Sequence, residues 1–369
     1  MVVSPETASA RKASDRGRGV VDCDVHTQLR SESELKRFLA KRWHVYYDQL
    51  PRRALPEMGL RPAPHFYRHD AFPDAGPPGS DIDVMREQLL DRYDVRKAIL
   101  APFEIARFPQ QGEFAAALFA AINDVTTEWL ERDSRLFGAI TIPFEDPVAS
   151  VREIERMIAD PRFVCVLITV ATREPLGDAK YWPMYETALQ YGLPVAVHVS
   201  GWSGTEGAAG WPTYHVERHG TWPQAFAAQV VSLVCGPVFD RYPRLQVVLE
   251  EAGLAWIPPL MWRLDRAWEE MRTDVPHLKK RPSDVIREHF WVTTQPLDEP
   301  SRPSELREML DQLAMDARIL FATDYPHWDF DDPTRVLAAS TVGRERRERI
   351  LSLNAESAYR FSPQEQGQS

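Results

Sequence analysis

The sequence predicts an α/β protein, a single (β/α)8 TIM barrel with long insertions after its first and fifth strands. Three observations predict it. Short β-branched apolar runs recur along the chain, segments of helical spacing lie between them, and carboxylates and imidazoles gather at the C-terminal ends of the runs. A length of 369 residues falls within the range of barrels that carry insertions.

The runs span 19–24, 97–102, 136–142, 163–170, 194–199, 245–250, 290–295 and 318–324. Their nearly continuous apolarity suits parallel strands buried on both faces, whereas alternation would mark half-exposed ones. Helical patterns occupy 113–132, 151–158, 181–191, 222–239, 254–272, 304–313 and 334–339. Asp146 before Pro147 gives an N-cap and a first-turn proline, and Gly192 gives a C-terminal stop. Strands and helices alternating in this way close into a barrel, because each crossover returns on the outside. An open doubly wound sheet is the alternative, but no GxGxxG turn follows the first run. The expected organisation is one barrel over 20–361 with tails at 1–19 and 362–369. One insertion, 27–94, is rich in proline; the other, 200–221, carries Trp202, Trp211 and Tyr214. Both emerge on the face where barrels build their sites.

Composition narrows the function. A net charge of −10 and a pI near 5.6 leave no basic footprint for nucleic acid. No apolar run has the length of a membrane span, and the first nineteen residues lack the apolar core of a signal peptide. The three cysteines, Cys23, Cys165 and Cys235, form no CxxC pair and read as small buried hydrophobes. The expectation is a cytoplasmic protein whose partner is a small-molecule substrate, with neither nucleic acid nor membrane involved.

Asp22, Asp24 and His26 alternate along the first run, so their side chains share one face. His198 ends the fifth run, Glu250 and Glu251 follow from the sixth, and Asp324 ends the eighth. A lone strand-end Asp or His is ordinarily structural, but several on one barrel rim suit a divalent metal. Zinc is favoured over manganese or iron, with one or two ions. After the fifth run, His215 and His219 would share a face if their segment is helical, although HVERH is not the HExxH of zinc proteases. Arg107, Arg218 and Arg263 have the fork that holds a carboxylate, and Arg263 reads more simply as a partner of Asp265. His44, His65, His69, His277 and His289 read as surface residues.

Asp22-Cys23-Asp24-Val25-His26, His198-Val199-Ser200-Gly201 and Thr323-Asp324-Tyr325-Pro326-His327 together resemble the amidohydrolase superfamily. The branch they resemble is that of aminocarboxymuconate-semialdehyde decarboxylase and the resorcylate decarboxylases, and Asn354-Ala355-Glu356-Ser357-Ala358-Tyr359 is similar to its usual ending. The resemblance runs from about 20 to 361. It implies Asp24, His26, His198 and Asp324 as metal ligands, Asp22 as their support, and a homodimer. The chain departs from this branch after the sixth run. Where the decarboxylases carry a histidine and glycines, it has Glu250-Glu251-Ala252-Gly253.

That departure favours a metal-dependent hydrolase, in which metal-activated water attacks a small amide, ester, thioester or lactone. Asp324 would move the proton, with Glu251 or His219 assisting and Glu251 also ligating metal. Trp202, Trp211, Tyr214 and Trp328 would hold the substrate, together with His215, Arg218 and His327. The alternative is a nonoxidative metal-dependent decarboxylase of an aromatic or unsaturated acid. A second alternative is a catalytically silent binding barrel.

Overall fold

The structure, a computed structural model, describes residues 19–49, 66–103, 111–199 and 214–361. The strands are Val20–Thr27 (β1), Val95–Pro102 (β2), Leu136–Thr141 (β3), Phe163–Thr169 (β4), Val195–His198 (β5), Val247–Glu250 (β6), Phe290–Thr293 (β7) and Ile319–Leu320 (β8). They form one sheet in chain order, and every neighbouring pair is parallel. Main-chain bonds bring the last strand back to the first. Cys23 N donates to Phe321 O (2.9 Å), Asp324 N to Asp24 O (3.2 Å) and His26 N to Tyr325 O (2.7 Å). The expected barrel is therefore present. Every residue of β1, β3, β4, β5, β6 and β7 is buried, as parallel strands covered on both faces require.

The helices that wrap the sheet are Gly112–Leu130 (α1), Pro147–Met157 (α2), Trp182–Tyr191 (α3), His215–Cys235 (α4), Ile257–Glu270 (α5), Pro282–His289 (α6) and Pro303–Leu313 (α7). Asp146 caps α2 by accepting from Val148 N and Ala149 N, with Pro147 in the first turn. Helix α3 stops at Gly192, whose φ of 68° is the left-handed conformation that glycine enters without steric cost. A Cβ at this position would come within 2.3 Å of the Arg360 guanidinium carbon.

Several expectations need correction. Of the expected 334–339 helix, residues 334–337 are turn, and a short helix, Ala339–Val342, begins only at the last residue. Helix α4 starts at His215, ahead of the expected 222, and a separate turn of helix, Val238–Arg241, follows it. His289 is not a surface residue. Its ring is buried against Phe239, with centroids 4.1 Å apart, and Nδ1 lies 2.9 Å from Leu245 O. His44 and His277 are also partly buried, on Leu39 O and Cys235 O. Asp265 accepts from Ser283 N (2.9 Å) and Ser283 Oγ (2.7 Å) and is not the partner of Arg263. Among the described residues no helix is long and apolar enough to cross a membrane.

The first insertion bears on the site. Trp328 N donates to Phe66 O and Arg68 N to Pro326 O, both at 3.0 Å, and Tyr67 bridges antiparallel to His327. The loop after β8 is thereby held against residues from the loop after β1.

Candidate metal centre

Asp24 and His26 enter the barrel from β1, and His198 ends β5. Glu251 and Asp324 follow the sixth and eighth strands, and each holds a left-handed backbone with φ of 57°. Side chains longer than glycine adopt this conformation at a cost, and such residues concentrate at functional sites. All five residues are buried, none more than 6% exposed.

Their ligand atoms converge. His26 Nε2 lies 2.8 Å from Asp324 Oδ1 and 3.5 Å from Asp24 Oδ1. His198 Nε2 lies 3.3 Å from Asp24 Oδ2 and 3.1 Å from Glu251 Oε2. These approaches lack the alignment of hydrogen bonds, so both Asp24 oxygens and both Nε2 atoms are buried without a hydrogen-bond partner. Buried polar atoms are rarely left in this condition unless something else coordinates them. The opposite ring nitrogens are anchored, His26 Nδ1 on Ala101 O (2.8 Å) and His198 Nδ1 on Val199 O. Anchoring one nitrogen fixes the other as a ligand atom. Nitrogen and carboxylate oxygen donors in this number suit a divalent transition metal, so the residues fit the ion that the sequence led us to expect.

Charge supports the same conclusion. Burial opposes charge on both imidazoles, yet Asp24 and Asp324 raise His26 to about 10, and Asp24 and Glu251 raise His198 to about 9. Burial pushes Glu250 up to about 8 and holds Glu251 well above the carboxylate range. Burial opposes charge on Asp324 as well, but His327 and His26 keep its carboxyl below its usual range. A pocket whose two imidazoles retain protons, and in which Glu250 and Glu251 resist losing theirs, is short of positive charge. Asp22 lies deeper. Its Oδ1 accepts from Thr323 N (2.9 Å) and its Oδ2 from Thr323 Oγ1 (2.5 Å), which ties β1 to the residue before Asp324.

The remaining candidates divide. His327 reaches the cluster, with Nδ1 2.5 Å from Asp324 Oδ1 and its ring 4.6 Å from that of His26. Glu250 is buried one residue before Glu251, outside the converging set. His219 bonds Asp329 and is not among the atoms that converge on the cluster. Arg218 is buried with its guanidinium over Trp222. Tyr214 is 67% exposed, and Trp328 stands 43% exposed beside His219. Trp202, Trp211, Arg107, His65 and the His215 side chain lie outside the described residues.

Four residues at the site were missed by the sequence reading. Gln295 Nε2 donates to Asp324 Oδ2 (3.2 Å) and to Asp329 O (3.4 Å). A carboxylate oxygen of Asp329 lies within 4.8 Å of ligand atoms on Glu251 and Asp324. Tyr67 and Phe103 flank His327, each with its ring centroid 5.7 Å away, and give the pocket an aromatic wall. Gln295 ends an apolar run as the ligands do, which was a usable signal. Phe103 directly follows the second run, whereas Asp329 and Tyr67 depend on how loops fold back.

Comparison with known proteins agrees with this geometry. A sequence profile described as amidohydrolase matches residues 21–361. The gamma-resorcylate decarboxylases of Polaromonas sp. strain JS666 and Rhizobium radiobacter are both 26% identical to this chain, over 305 and 302 residues; each match covers 76% of this chain and 88% of the relative. Among solved structures, the dihydroxybenzoic acid decarboxylase of Polaromonas sp. JS666, with bound manganese and the inhibitor 2-nitroresorcinol, superposes with a TM-score of 0.65 at 22% identity, covering 92% of this chain and 96% of that one. The 5-carboxyvanillate decarboxylase of Sphingomonas paucimobilis gives 0.67 at 20% identity, covering 93% and 99%.

Proposed function

Because the chain belongs to the amidohydrolase family, we propose that it is a metal-dependent decarboxylase of a hydroxylated aromatic carboxylic acid. The observation that carries this reading is the convergence of buried, unpartnered ligand atoms on Asp24, His26 and His198 beside Asp324, next to an aromatic wall. The curated decarboxylases that match most of this chain favour this reading over hydrolysis, and the relative solved with manganese makes that ion a better candidate than zinc.

Asp24, His26, His198 and Asp324 would hold the ion, and Glu251 closes the same cluster. When bound, the ion would draw electron density from the substrate's carboxylate and neighbouring hydroxyl. The protein's own contribution is placement. Tyr67, Phe103 and His327 offer flat faces against which an aromatic ring can lie. Gln295 and His327 hold the two oxygens of Asp324, so this carboxylate keeps one orientation. Burial excludes water, so charge inside the pocket is poorly screened.

The test supplies manganese and offers 2,6-dihydroxybenzoate, 5-carboxyvanillate, and a set of aryl amides and lactones in parallel. We expect carbon dioxide in equal amount to the hydroxyarene. We also expect His198→Ala to lose about a hundredfold or more of that activity along with bound metal. Hydrolysis of an amide or lactone without release of carbon dioxide from any acid would replace this reading with the hydrolase.

A further inference from the structure

We propose that His219 and Asp329 form the proton inlet of the pocket, His219 taking a proton from bulk water and passing it along Asp329 toward the reacting carbon. The inference rests on the decarboxylase reading. Decarboxylation consumes one proton per turnover. The bond between the ring carbon and the carboxyl carbon breaks, the electron pair left on the ring binds a proton, and carbon dioxide departs. That proton must be replaced from water, and the five candidate ligand residues are sealed from it, none more than 6% exposed.

His219 and Asp329 span the boundary. His219 Nε2 lies 3.1 Å from Asp329 Oδ2, and the side chains are 24% and 11% exposed. On its inner side Asp329 presents a carboxylate oxygen within 4.8 Å of Glu251 and Asp324. Its main-chain oxygen shares the Gln295 amide with Asp324, which fixes its place relative to the ligands. The imidazole is held between Trp222 and Trp328, with ring centroids 4.9 and 5.4 Å away. The charged groups beside it are Asp329, from the loop after β8, and Arg218, its neighbour on α4, whose guanidinium lies over Trp222 at 4.9 Å. A carboxylate that orients one imidazole nitrogen is the arrangement by which histidine serves as an acid or base near neutral pH. His219 comes from the first turns of α4, after β5, and Asp329 from the loop after β8, so the pair assembles only in the folded barrel.

The experiment compares the manganese-loaded wild type with His219→Gln on 2,6-dihydroxybenzoate. We expect kcat to fall about a hundredfold or more, with KM, metal content and melting temperature unchanged. The pH dependence of kcat should change in the variant, and added imidazole should restore turnover to His219→Ala. Nitrogen NMR of labelled histidine in the metal-free protein should show a protonated Nε2 at His219 whose resonance shifts in Asp329→Asn. Should His219→Gln fail to fold, Asp329→Asn carries the same kinetic expectation. Full kcat and an unaltered pH profile in either variant of an active enzyme would overturn the inlet. A wild type that releases no carbon dioxide counts against the decarboxylase reading instead. The NMR experiment then still decides, because an Nε2 resonance indifferent to Asp329→Asn removes the pair.

Discussion

Thr323 holds the Asp22 carboxylate with both its amide and its hydroxyl, and neither residue reaches solvent. Replacing Thr323 with Val keeps the volume and removes the hydroxyl donor from a buried carboxyl, at a cost of about 1–3 kcal/mol. Because Asp22 stands two residues before Asp24, we expect manganese affinity to fall about tenfold to a hundredfold as well. Denaturant unfolding and calorimetric titration measure the two effects, and Thr323→Ser should recover both. If affinity were unchanged, Asp22 would be a structural tie alone. At this scale the candidate ligands stand out in the sequence because Asp24, His26, His198, Glu251 and Asp324 all lie at or near the ends of apolar runs, where a barrel opens to its site. Asp329 and Tyr67 were not. Each sits in a loop, and its distance to the metal cluster is set by main-chain bonds such as Trp328 N to Phe66 O, which no periodicity encodes.

Elements were readable wherever burial imposes a pattern. The runs at 163–170 and 136–142 became β4 and β3 because a strand covered on both faces must be apolar throughout. The eighth run kept only Ile319–Leu320 in the ladder, since residues from 321 on leave it to bond β1 and present Asp324. The 334–339 segment has helical spacing but adopts turns over 334–337, because long-range packing overrides weak local preference. Helix α3 shows the opposite case, a boundary set by one residue. Gly192→Ala would place a Cβ in left-handed backbone and displace the Arg360 guanidinium. A loss of about 1–2 kcal/mol is expected, the usual penalty for an L side chain in that region. Thermal unfolding tests it, and carbon dioxide release per folded molecule should be unaffected, since α3 contributes no residue to the site. A variant as stable as wild type would mean that the cap relaxes to another conformation.

For the whole molecule, the site couples stability to pH. Burial opposes their charge, but neighbouring carboxylates raise His26 to about 10 and His198 to about 9, both above the ordinary 6.5. A raised imidazole contributes stability that is complete below its unfolded value and is lost as pH climbs through its folded one. Metal-free protein should therefore lose stability between pH 6.5 and about 10. Manganese requires the imidazoles to be neutral, so binding expels protons and tightens as pH rises. The melting-temperature gain on adding manganese should accordingly be larger at alkaline than at acidic pH. A gain that is constant with pH would separate the histidines from the ion. The left-handed backbone at Glu251 and Asp324 has a wider consequence. Both residues sit in a conformation that glycine or asparagine would occupy at less cost, and Glu251 adds a buried carboxyl. Selection for thermal robustness alone would drift toward glycine at position 251 and yield a sturdier barrel with a depleted candidate metal site. Consensus design or thermostability screening of this chain should hold these two codons fixed, because here endurance and turnover pull in opposite directions.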